Sequence, residues 1–106
     1  LNDSSWVVVK LTEVYTNKVV YKVLYDVSTH DEFKWSVNSG ITHVEVDSTV
    51  NRVTFHGESG SVYSFSLLDY RLSNATINGL SMLIKLAQDQ FLVEVMPEKL
   101  NWDTLV

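Results

Sequence analysis

Between residues 6 and 67 apolar side chains recur in short runs with period two; beyond residue 76 they recur with a period near that of a helix turn. The first spacing belongs to strands with a buried side, the second to a helix with a buried stripe. The expected fold class is α+β. It is a mostly antiparallel β meander, drawn as a curled sheet or small barrel, with one helix from the C-terminal half packed on it.

The first run is Trp6-Val7-Val8-Val9-Lys10-Leu11-Thr12-Glu13-Val14-Tyr15, and the second is Val19-Val20-Tyr21-Lys22-Val23-Leu24-Tyr25-Asp26-Val27. Thr16-Asn17-Lys18 between them reads as a three-residue hairpin loop, because Asn tolerates the left-handed backbone of a short turn. That loop predicts Tyr15 opposite Val19, Leu11 opposite Val23, Val9 opposite Tyr25 and Val7 opposite Val27. One face is then almost wholly apolar, which is the condition that selects a register. The other face would carry Trp6, Val8, Lys10, Lys22 and Asp26.

Residues 32–37 alternate and predict a strand with Phe33, Trp35 and Val37 on one face. A second hairpin is expected from 41–47 and 52–56 around Ser48-Thr49-Val50-Asn51. Pairing Asp47 with Arg52 sets Glu45 opposite Thr54 and His43 opposite His56, all on the polar face. Val44, Val46, Val53 and Phe55 then share the inner face. After the turn Gly57-Glu58-Ser59-Gly60, residues 61–67 form a further strand. Residues 91–96 read as a last strand ended by Pro97, and 98–106 as a tail holding Trp102.

Ile77, Leu80, Leu83, Ile84, Ala87 and Phe91 fall on one helical stripe, and a single main helix is expected within 77–90. Ser73, Asn74 and Thr76 offer capping oxygens. Asn78-Gly79 weakens the first turn and moves the expected start to Leu80. The expected core is Val7, Val9, Leu11, Val23, Val44, Val46, Val53, Phe55, Leu80, Leu83, Ile84 and Ala87.

A chain of 106 residues fits a single domain, 1–106. No apolar stretch reaches the roughly 18 residues that span a bilayer, so no membrane partner is expected. The opening Leu1-Asn2-Asp3-Ser4-Ser5 has no basic region of the secretory kind, and a cytoplasmic location follows (host cytoplasm for a viral protein). Thirteen acidic residues against eight scattered basic ones leave a charge of −5, which disfavours nucleic acid. The absence of cysteine excludes disulfides, thiol catalysis and zinc ribbons. Asn2 and Asn74 begin Asn-X-Ser/Thr matches and read as loop residues.

Candidate chemistry is sparse. Gly57-Glu58-Ser59-Gly60-Ser61 is out of step with a Gly-X-Ser-X-Gly elbow and lies in a turn. His30-Asp31-Glu32 reads as a solvated loop. No catalytic residues and no cofactor are expected, so the protein is not read as an enzyme. His43, His56 and Glu45 have the donor chemistry of a zinc site, against the plainer reading of an ordinary polar sheet face with no metal.

Three Trp, five Tyr and four Phe exceed what so small a core can hold, so some should lie at a rim. Tyr25, Trp35 and Trp102 are the expected binding residues. The leading function is a non-enzymatic protein-binding module, of the kind found among small acidic inhibitors, immunity proteins and phage accessory proteins. It would act by stoichiometric association with a protein partner carrying a basic surface. The alternatives are a metal- or ligand-binding protein centred on His43, His56 and Glu45, and a self-associating structural or virion subunit. The last four residues, Asp103-Thr104-Leu105-Val106, resemble a PDZ-domain ligand. That resemblance covers the tetrapeptide alone and would imply strand addition to a partner's sheet.

Overall fold

A computed structural model describes residues 4–99 and 101–106; Asn2, the first of the two Asn-X-Ser/Thr matches, lies outside them. Among the described residues the strands are β1 (Trp6–Glu13), β2 (Val19–Asp26), β3 (Trp35–Val37), β4 (Ile41–Asp47), β5 (Arg52–Gly57), β6 (Val62–Ser66) and β7 (Phe91–Val95). Helix α1 (Asn74–Ala87) precedes β7, and short 3-10 turns occupy Leu67–Asp69 and Trp102–Thr104. The α+β class and the mostly antiparallel strands agree with the sequence. The strands divide between two sheets, ordered β3-β2-β1-β7 and β4-β5-β6, which do not close into a barrel.

The layers are helix, four-stranded sheet, three-stranded sheet. Val7, Val9 and Leu24 point to the helix side, where Leu80, Leu83, Trp35 and Val37 meet them. Trp6, Val8, Val23 and Tyr25 point the other way, against Val44, Val53, Phe55 and Phe65 of the second sheet. β1 therefore runs through the middle of the molecule, with Trp6, Val7, Val8 and Val9 all buried. Trp6 links the layers: its indole donates to the Ser66 carbonyl at 2.7 Å, and its ring lies 5.5–5.7 Å from those of Phe55, Phe65 and Trp102.

The first hairpin differs from expectation. Thr12 pairs with Val19, Leu11 with Val20, Val9 with Lys22, Val7 with Leu24 and Trp6 with Tyr25. The loop is four residues, 14–17, closed by a bond from the Glu13 amide to the Lys18 carbonyl at 2.8 Å, with Asn17 at φ 61. The expected register was shifted by an odd number of residues along β2, which exchanges that strand's faces. It rested on making a single apolar face, and β1 buries two.

The second hairpin has the expected pairs: Asp47 with Arg52, Glu45 with Thr54 and His43 with His56. A bulge at Thr42 interrupts strict alternation, since Ile41 pairs with Gly57 and His43 with His56. The extra residue lets Ile41 and Val44 both point inward while Thr42 and His43 both point out.

Helix α1 begins earlier than Leu80. Ser73 caps it, accepting from the Thr76 amide, while the Thr76 hydroxyl accepts from the Ser73 amide at 2.7 Å. Such a reciprocal cap offsets the weak Asn78-Gly79 pair. The buried stripe is also rotated. Ala75, Thr76, Gly79 and Ala87 are buried with Leu80 and Leu83 beside them, whereas Ile77 and Ile84 are about half exposed, at 50% and 54%. Gly79 sets this phase, since a β-carbon there would lie 2.7 Å from Trp35 Cδ2 and 2.8 Å from Leu24 Cδ1. Two further corrections concern length: the third strand starts at Trp35, leaving Phe33 exposed, and Leu67 leaves the sixth strand for a 3-10 turn.

Candidate functional site

The aromatic residues expected at a rim sit elsewhere. Trp102, the first residue of the C-terminal 3-10 turn, is fully buried, with its ring 5.5 Å from Trp6 and 5.1 Å from Tyr70. Tyr25 is buried between the sheets, 5.2 Å from the rings of both Tyr63 and Phe65. Desolvation by that burial raises the pKa of its hydroxyl. Trp35 is half-buried against Gly79 of the helix. The three are not brought together, and each packs inside the layers, because Trp and Tyr supply the area a small sandwich needs.

The exposed aromatic surface lies instead at one end of the four-stranded sheet. Among the described residues β7 pairs on one side only, with β1, and is an edge strand. Its residues Phe91, Leu92 and Val95 are exposed. The hairpin tip joins it there through a bond from the Val14 amide to the Gln90 carbonyl at 2.9 Å. Tyr15, on that tip, is 83% exposed. Tyr15 and Phe91 line a shallow depression of about 530 Å3 with Glu13, Asp89, Gln88 and Gln90. Gln88 ends the helix at φ 50, a left-handed value that turns the chain sharply into β7. Tyr15 is not among the three expected binding residues because a three-residue loop keeps it in the strand, paired with Val19; the four-residue loop releases it.

A second candidate is the outer face of the other sheet. His43 and His56 are direct cross-strand neighbours with ring centroids 5.2 Å apart. Glu45 lies two residues from His43 on the same face. Its Oε1 is 3.3 Å from His43 Nε2 and 3.8 Å from His56 Nε2. The sequence located this trio correctly, since the turn and the inward Val44, Val46, Val53 and Phe55 hold the pairing. Two histidines and a carboxylate so arranged can bind a first-row metal ion.

The remaining motifs are structural. Gly57-Glu58-Ser59-Gly60-Ser61 is the β5–β6 hairpin turn, with Gly60 at φ 86 and the Gly57 amide donating to the Ser61 carbonyl. Asn74 is the first residue of α1, and His30 lies on an exposed loop. In the C-terminal tetrapeptide, Asp103 and Thr104 belong to the same 3-10 turn as the buried Trp102. Among the described residues no helix is long and apolar enough to cross a membrane. No protein-family model, curated protein or solved structure matches this chain.

Proposed function

We propose that this protein acts by stoichiometric, non-enzymatic association with a protein partner that adds a basic, extended segment to the β7 edge. The observation that carries this is the open side of β7 beside exposed Tyr15, Phe91 and Leu92. An unpaired strand edge presents main-chain donors and acceptors to an incoming strand, and the side chains alternating along it select the sequence. Exposed aromatics concentrate binding energy when a partner excludes water from them. Glu13 and Asp89 line the depression beside Tyr15, and the chain carries a charge of −5, so a basic segment meets complementary charge.

The partner is sought by affinity purification of the full chain from its source cell and identified by mass. It is then titrated against the wild type, Tyr15→Ala and Leu92→Lys. The proposal expects saturation at one partner per chain, affinity that weakens as salt rises, and a loss in both variants with melting temperature unchanged. An acidic partner, equal affinity in both variants, or turnover of a substrate would overturn it. Edge-to-edge pairing of two copies, detected by sedimentation, would replace it with the self-associating reading.

A further inference from the structure

We propose that His43, Glu45 and His56 form a zinc(II) site on the outer face of the three-stranded sheet, with at least one coordination position open to solvent. Ligand atoms of the three side chains all lie within 4.8 Å of one another. Zinc binds imidazole nitrogen and carboxylate oxygen at about 2.0–2.2 Å, so neighbouring ligands of a tetrahedral ion stand about 3.3–3.5 Å apart. The Glu45 oxygen already stands 3.3 Å from one imidazole nitrogen and 3.8 Å from the other.

A second observation points to a ligand. His56 Nε2, the atom turned toward Glu45, is shielded from solvent and has no hydrogen-bond partner. A buried polar atom without a partner is costly, and a coordinated ion would satisfy it. The backbone beneath the trio is also well held. The β4–β5 ladder fixes His43 against His56, and the bulge residue Thr42 donates its hydroxyl to the His56 carbonyl at 3.2 Å. His43 and Glu45, two residues apart on the regular part of β4, share its outer face by alternation. Ligands on paired strands are better placed for an ion than ligands on loops.

The donor set selects the metal. Two imidazoles and one carboxylate suit zinc and its transition-metal neighbours, whereas calcium and magnesium require oxygen cages. With no thiolate and three protein ligands, the site has the composition of open zinc centres rather than closed structural ones. It lies in the other sheet from β7, so it stands independently of the partner proposed above.

The test is titration of the full chain with zinc chloride, followed by calorimetry and by NMR of the histidine rings, with magnesium as a control. The expected result is one zinc per chain, with shifts at His43, Glu45 and His56, no shift at His30, and no response to magnesium. Removing a residue that only orients a zinc ligand costs about 10–100-fold in affinity, so His43→Ala or His56→Ala should weaken zinc at least about tenfold. Both variants should keep the wild-type melting temperature without metal, and His30→Ala should bind as the wild type does. Cobalt(II) offers a second readout, since low coordination gives intense visible bands that an octahedral aquo ion lacks. Failure to saturate with zinc, binding unchanged in both variants, or binding lost on His30→Ala would each overturn the proposal.

Discussion

The Tyr70 hydroxyl accepts a hydrogen bond from the Val8 amide at 3.2 Å, in the place where a backbone carbonyl would serve. The same hydroxyl donates to the Met96 carbonyl, while the Met96 amide donates to the Val8 carbonyl at 2.8 Å. Tyr70 thus extends the β1–β7 ladder past its last regular pair, Val9 with Val95. Tyr70→Phe keeps the ring but leaves the Val8 amide and Met96 carbonyl without this partner. The expected cost is about 1–3 kcal/mol in chemical denaturation, the usual penalty for an orphaned buried group. A change below about 0.5 kcal/mol would mean that water replaces the hydroxyl.

The pH dependence of that tyrosine has a definite sign. Burial pushes its pKa from the ordinary 10.0 up to about 12, against a smaller opposing effect of the Val8 amide. Below pH 10 the proton is held in both folded and unfolded chains, so the contribution is whole. Between 10 and about 12 the unfolded chain loses the proton while the folded chain keeps it, and stability falls as pH rises. Urea denaturation across that window should show a steeper alkaline loss in the wild type than in Tyr70→Phe. Parallel curves would show that the hydroxyl titrates as an exposed one.

Gly79→Ala should destabilise the protein although alanine is the better helix former by about 1 kcal/mol. The new methyl would meet Trp35 and Leu24 at 2.7–2.8 Å. Overpacking of this kind costs about 1–3 kcal/mol and should exceed the propensity gain. A rise in melting temperature would show that the helix and Trp35 separate freely.

Trp102→Ala and Tyr15→Ala should behave oppositely. The first removes a fully buried ring from between the sheets and should cost about 3–5 kcal/mol. The second removes a ring that is 83% exposed and should stay within about 0.5 kcal/mol of the wild type. Thermal and urea unfolding of both variants decide the point, and similar losses would contradict the assigned burial.

Deleting Thr42 removes the bulge and restores strict alternation in β4. Ile41 then stays inside with Val44, because His43 between them points outward and the pairs Ile41–Gly57 and His43–His56 fall into step. Stability in urea unfolding should change by no more than about 1.5 kcal/mol, the worth of the lost bond from the Thr42 hydroxyl to the His56 carbonyl. A loss above about 3 kcal/mol would mean that the strand slips its register instead.

Much of this architecture was legible in the chain itself. The strand period, the helix in the C-terminal half, and the pairs Asp47–Arg52, Glu45–Thr54 and His43–His56 all follow from local alternation and one turn. The candidate metal trio was legible for the same reason: β4 and β5 bury one face and expose the other, so the register has a single acceptable value. The phase of the helix was not legible, because its buried stripe includes Thr76 and Gly79, which no apolar pattern marks. Their position is set by the seat of Trp35, a residue 44 positions away from Gly79 in the chain.

By itself, the sequence determined which segments are strands and which is the helix, because backbone periodicity is a property of neighbours along the chain. Only the tertiary structure decided which faces are covered. The second sheet packs on Trp6 and Val8, so β1 loses the one-sided pattern that would have revealed its register. The same packing carries Trp102 from the tail into the core, and the four-residue hairpin loop leaves Tyr15 exposed at the tip. These outcomes depend on contacts such as that of Trp6 with Ser66, 60 residues apart, where burial of apolar area outweighs any local preference.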